Sequence, residues 1–130
     1  MDIRYLMLLV VALSWSCLMT QAAEAQSYPS RPIRMIVPYP PGGSLDITMR
    51  VVAPKMTEVI GQNVIVDSRP GADGNIGTEL VARAPADGYT VLIHAVPLVV
   101  NPSLRRKLPF DVRKDFVPVS LLTASPLVLV

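Results

Sequence analysis

Histidine, cysteine and tryptophan occur once each in these 130 residues, and aromatic side chains make up 5% of the chain. Each scarcity removes a class of chemistry. With His94 the sole histidine, a zinc site would have to be built from carboxylates, against the nitrogen and sulfur ligands that zinc prefers. A Ser-His-Asp arrangement would also have to use His94, and no serine sits in a G-x-S-x-G elbow. Charge is sparse, and the only basic run is Arg105-Arg106-Lys107, which reads as a solvated loop; nucleic acid is not an expected partner. Gly71-x-x-Gly74-x-x-Gly77 is not the dinucleotide fingerprint and no Walker lysine follows it, so nucleotides are disfavoured too. No cofactor, metal or catalytic activity is expected.

The one cysteine, Cys17, lies in a stretch from Tyr5 to Thr20 that carries no charge and is rich in Leu, Val and Met. Arg4 precedes it and Ala23-Glu24-Ala25 follows, an A-x-A cleavage site. Residues 1–25 therefore read as an export signal, with the mature chain starting at Gln26. The alternative is an uncleaved anchor, although the strongly apolar part is shorter than the roughly 20 residues a spanning helix needs. A lipid-attachment box at Cys17 fits poorly, because bulky Trp15 precedes it. Residues 26–130 would then hold no cysteine, need no disulfide, and carry 11 basic against 8 acidic side chains.

Proline is what the chain has in excess. All 13 prolines lie after residue 28, spaced between apolar runs, which predicts short, sharply bounded elements in one small domain or part of a larger one. Ile33 to Val37 is a continuous apolar run of the kind buried in a parallel sheet. Leu45, Met49, Val52, Ala53, Met56 and Ile60 then recur at helical spacing until Gly61, with Pro54 expected to kink the helix near Arg50. Asn63 to Asp67 predicts a second strand. A turn at Arg69 to Gly74 then opens a helix with Ile76, Leu80, Val81 and Ala84 on one face, and Tyr89 to Ile93 predicts a third strand. This β-α-β-α-β order implies an α/β fold with a parallel sheet. A Pro-rich loop from Pro97 to Pro109 and two more strands, Phe116 to Leu122 and Leu127 to Val130, are expected to follow.

Between the first strand and first helix stands Pro41-Gly42-Gly43-Ser44-Leu45-Asp46. A helix start presents unpaired N–H groups and the positive end of the dipole, so this loop suits an anion such as a carboxylate. Glycines would let a ligand approach their amides, and Ser44 or Asp46 could cap the helix. The plain competitor is a glycine pair that only makes the turn, with Asp46 serving as a cap. The chain closes on Leu127-Val128-Leu129-Val130 without a turn or polar tail, which reads as the front part of a longer protein or else as a terminal sheet strand.

Seven segments, taken in order and spacing, resemble one family: Tyr28-Pro29-Ser30-Arg31-Pro32-Ile33-Arg34, Pro41-Gly42-Gly43-Ser44-x-Asp46, Arg69 to Glu79, Asp87-Gly88-Tyr89-Thr90, Asn101-Pro102-Ser103-Leu104, Leu108-Pro109-Phe110-Asp111 and Asp115-Phe116-x-Pro118-Val119-Ser120. The family is the Bug proteins, periplasmic substrate-binding components of tripartite tricarboxylate transporters. The resemblance implies a periplasmic-binding-protein type II-like lobe with a mostly parallel sheet, incomplete here because family members continue into a second lobe. It further implies a periplasmic location, a small carboxylate or related solute, and delivery to membrane permease subunits. Its carboxylate-holding loop falls on Tyr39, Pro41, Gly42, Gly43, Ser44 and Asp46. A second contact region falls on His94, Ala95 and Val96, where small hydroxyl or glycine residues are common in the family and this chain has Ala95 and Val96. A third falls on the start of the second helix, with Gly74 and Asn75, and departs from the family at Asp73, where glycine is usual. By position alone, His94 at a strand end reads more readily as a structural side chain than as a ligand. A sensory or orphan binding protein without transport, and an exported α/β hydrolase, are the competing functions.

Overall fold

A computed structural model describes residue 4, residues 27–105 and residues 107–124. The expected signal at 1–25, Arg4 apart, and the expected strand at Leu127 to Val130 lie outside the described residues.

The most apolar run forms the centre. β1 (Ile33–Val37) is flanked by β2 (Val64–Ser68) and β3 (Thr90–Leu92), both parallel to it, giving the order β2-β1-β3. The register runs from Ile33 opposite Val64 to Val37 opposite Ser68, and from Arg34 opposite Thr90 to Ile36 opposite Leu92. Parallel neighbours require crossovers. These are α1 (Ser44–Ile60) between β1 and β2, and α2 (Asn75–Ala82) between β2 and β3, the latter preceded by a 3-10 turn at Ala72–Gly74.

Side chains alternate across β1, so both faces need cover. Met35 and Val37 pack with Met49 and Ala53 of α1 and with Ile93, and Leu45, Met56, Val64, Val66 and Val91 close around them. Ile36 points to the opposite face and is also fully buried. α1 follows the spacing expected from the sequence. It ends at Gly61, whose φ of +75° lets its N–H reach Thr57 O at 3.0 Å. Pro54 lies inside it and leaves the Arg50 carbonyl without its i+4 donor.

Three expectations are corrected. Ile76 does not face the core: it is 54% exposed, and α2 turns Asn75, Gly77 and Thr78 inward. The reason is contact distance, because a Cβ at Gly77 would stand 2.8 Å from Pro38 Cβ and 2.9 Å from Arg69 O, so the side without a side chain is the side that packs. The Pro-rich stretch after β3 is not all loop, since Pro97–Leu104 forms α3. Pro97 takes the first helical position, where a missing N–H costs nothing and φ is already suitable. Phe116 to Leu122 is not a strand. Val117, Val119 and Leu121 stand 82–87% exposed, and among the described residues no strand lies beside them to complete a ladder.

Candidate functional site

In the order β2-β1-β3 the chain leaves β1 towards β2 on one side and returns to β3 on the other, and open α/β sheets bind ligands in a crevice outside the C-terminal ends of their strands. The expected site residues lie on the loops after β1, β2 and β3.

The loop after β1 is built around a buried carboxylate. Asp46, 1% exposed, accepts hydrogen bonds from the Gly42 N–H at 2.9 Å, Arg50 Nε at 2.8 Å and Ser68 Oγ at 3.1 Å. The Arg50 hydrogen bond, then that of Gly42, hold its pKa below the usual carboxylate range. Asp46 thus ties the glycine loop, the second turn of α1 and the end of β2 together. It is not the helix cap expected from its position, and neither is Ser44. Gly43 occupies the N-cap with no side-chain cap bond, and Asp46 reaches one residue beyond it.

The glycine amides are also engaged within the loop. Gly42 donates to Asp46, and Gly43 donates to Pro40 O at 3.2 Å. The first helical bond is Ile47 N–H to Gly43 O, so the Ser44 and Leu45 amides have no partner among the described residues. The donors of the expected anion site therefore sit just after the glycine pair, on the first two residues of α1. The two glycines differ in what they require. Gly42 has φ +82° and needs glycine for its backbone, whereas Gly43, at φ −73° and ψ 166°, does not. A Cβ at Gly43 would meet only Pro40 O, at 3.2 Å, so the missing side chain chiefly keeps open the space before the helix. Pro41 and Ser44 are exposed beside it.

The second lip joins the loops after β2 and β3. His94 meets Tyr39 edge-on, ring centroids 5.4 Å apart, and both rings rest against Gly74. His94 Nδ1 accepts the Ala95 N–H at 2.9 Å, and burial lowers the ring's pKa. Ala95 and Val96 are exposed; the Ala95 amide is taken by His94, and Val96 is the N-cap of α3. Asn75 is buried and held by a residue that its sequence position did not single out as part of the site, Asn101. Asn101 Nδ2 donates to Asn75 Oδ1 at 3.2 Å and to the Asp73 carbonyl at 3.3 Å, fastening α3 to the turn before α2. Its signal in the sequence was a polar residue inside the motif Asn101-Pro102-Ser103-Leu104, flanked by apolar Val100.

A separate groove of about 500 Å³ runs between α1 and β2, lined by Arg50, Ala53, Pro54, Thr57, Val64 and Val66. It contains none of the expected site residues. Among the described residues no three His, Cys, Asp or Glu converge as metal ligands would.

The chain is similar to known proteins. Residues 48–130 match a family described as the tripartite tricarboxylate transporter family receptor. Protein BugT of Bordetella pertussis is 50% identical over 109 residues, 82% of this chain and 33% of its own length. Among solved structures, the periplasmic binding protein BugD superposes with a TM-score of 0.66 at 38% identity, over 68% of this chain and 30% of its own. MatC from Rhodopseudomonas palustris, solved with bound malate, gives 0.63 at 31% identity, over 73% and 33%. The chain thus spans about a third of the length of the curated relatives it matches. The matched family is one of receptors and BugD is a binding protein; these are solute-binding proteins, not enzymes.

Proposed function

The chain belongs to the tripartite tricarboxylate transporter receptor family, and on that premise we propose that it forms the first part of a substrate-binding lobe that captures a small carboxylate in the periplasm for membrane permease subunits. One observation carries the reading. At the mouth of the β1–α1 loop, the Ser44 and Leu45 amides are unpaired at the positive end of a 17-residue helix, with no side chain at Gly43 to cover them. A carboxylate there would gain charge-assisted hydrogen bonds and the helix dipole without a cationic partner. The malate bound to MatC is a carboxylate of this size class. Tyr39, Pro41, Gly42, Gly43, Ser44 and Asp46 would shape this end of the pocket, Asp46 by bracing the loop from beneath. Gly74, Asn75, His94, Ala95 and Val96 would line the other.

The natural gene product, purified from the periplasm, tests both halves of the proposal. Calorimetry against mono-, di- and tricarboxylates is expected to find saturable binding of at least one, and N-terminal sequencing is expected to begin at Gln26. No heat with any carboxylate removes the solute class, while a chain that keeps Met1 and fractionates with membranes removes the export step.

A further inference from the structure

Tyr39 and His94 leave the two strands that bound the crevice, and their polar atoms converge over Gly74. A Cβ there would stand 2.9 Å from His94 Nε2 and 3.3 Å from Tyr39 Oη, so only glycine lets the two side chains lie where they do. The Tyr39 hydroxyl is shut off from solvent and has no hydrogen-bond partner among the described residues. Buried hydroxyls are nearly always paired, and an orphan calls for something that completes it. His94 offers a second group of matching kind. His94 Nδ1 lies 2.9 Å from the Ala95 amide nitrogen and 3.1 Å from the Ala95 carbonyl oxygen, which leaves Nε2, facing Gly74, to donate to or accept from a neutral partner according to the tautomer.

The charge beside this pair is negative. Asp73 stands in a left-handed conformation (φ 57°, ψ 41°) with its carbonyl held by buried Asn101, which anchors the residue at the rim. Its charge raises the pKa of Tyr39, after burial, and acts in the same direction on His94. Among the described residues Asp73 takes part in no ion pair: Arg50, on α1, is bound to Asp46, and Arg69, on the loop after β2, is bound to Asp67. A phenol hydroxyl and a neutral imidazole nitrogen next to a carboxylate suit an uncharged oxygen-bearing group and disfavour an anionic one.

We propose that Tyr39 Oη and His94 Nε2 form a second subsite that reads a neutral hydroxyl, keto or amide oxygen, and that Asp73 excludes a second carboxylate from it. The solute is then a monocarboxylate bearing an uncharged polar group, not a di- or tricarboxylate. This rests on the carboxylate reading given above, with the α1 amides holding the single charged end.

The test uses the natural gene product and calorimetry with butyrate, its 2-, 3- and 4-hydroxy derivatives, and succinate. One hydroxybutyrate is expected to bind about tenfold tighter than butyrate, and succinate weakest. Tyr39→Phe is expected to bring the hydroxybutyrate-to-butyrate ratio close to one. Asp73→Asn, which retains the left-handed backbone and removes only the charge, is expected to raise succinate relative to butyrate about fivefold or more. Should Tyr39→Phe fail to fold, Asp73→Asn carries the test alone. A ratio unchanged in Tyr39→Phe, or succinate bound tightest by the parent, overturns the second subsite while leaving the carboxylate reading intact. Absence of binding by all five acids overturns the second subsite, and only the same failure across the wider set of mono-, di- and tricarboxylates overturns the carboxylate reading as well.

Discussion

The two lips of the crevice solve the same local problem, how to start a helix after a strand, in opposite ways. The loop after β1 satisfies itself: a buried carboxylate accepts the Gly42 amide, a guanidinium and a hydroxyl, and Gly43 closes on Pro40. The loops after β2 and β3 are held from behind by Asn101, yet leave a phenol hydroxyl unpaired beside a neutral imidazole. A self-satisfied loop is shaped before any solute arrives, so the helix-end amides it frames cost no reordering on binding. An unsatisfied pair discriminates, because a solute that completes it removes a standing penalty and one that does not keeps it. On the proposed reading, generic anion capture would belong to the first lip and choice among anions to the second.

The largest effect should come from removing the brace of the first lip. Asp46→Ala strands the Gly42 amide and frees Arg50 and Ser68. The melting temperature is expected to fall by on the order of 10 °C in differential scanning calorimetry. The same group sets an acid limb. Its folded pKa lies below the unfolded value near ~3.9, so its stabilisation is fully present above that value and is lost as pH falls through the folded one. Asp46→Asn should flatten the melting-temperature profile below about pH 4. A mutant as stable as its parent, with the same acid limb, would mean that the loop holds its shape without the carboxylate.

Gly43→Val should act on binding more than on folding, since the Gly43 backbone is ordinary and only the approach to α1 is obstructed. Carboxylate affinity is expected to drop about tenfold to a hundredfold by calorimetry. Undiminished affinity would move the anion away from the helix start.

Two alanines compare the lips directly. Gly42 and Gly74 both have positive φ, which costs an L-residue roughly 1–2 kcal/mol, but only Gly74 would thrust its Cβ into neighbouring side chains. Gly74→Ala should therefore lose more stability in urea titration than Gly42→Ala, and removal of the imidazole in His94→Ala should recover part of the difference. Equal losses would show that the Tyr39–His94 pair yields freely and is not held over Gly74.

Ala95→Ser should do least. The site is exposed and its amide is already bound to His94, so stability should stay within about 0.5 kcal/mol and affinity within about threefold. A larger gain in affinity would mean that the second lip also reads solute through side chains at this position.

Much of the frame was legible in the chain because it depends on local pattern. The run Ile33 to Val37, the helical spacing from Leu45 to Ile60 and the stop at Gly61 each appear at or within a residue of where they were expected. Where the pattern misled, packing distance or a missing partner was responsible. Ile76 looked like core, but Gly77 is where α2 meets Pro38. Val117, Val119 and Leu121 alternate as a strand would, yet an alternating segment becomes a strand only beside another.

By itself, then, the order of residues determined the strand and helix succession from β1 to β3, the parallel class of the sheet and the placement of a glycine-rich helix start at the C-terminal end of β1. These follow from periodicity and from conformations open to single residues. Tertiary structure alone decided which groups remained free. Gly42 and Gly43 spend their amides inside the loop because Asp46 and Pro40 O come within reach only when the chain turns. Asn101 finds Asn75, 26 positions away, only across the packed ends of α2 and α3. The Tyr39 hydroxyl, beside His94 where β1 and β3 lie side by side, has no partner among the described residues, and hydrogen-bond satisfaction is a property of the three-dimensional arrangement, not of spacing along the chain.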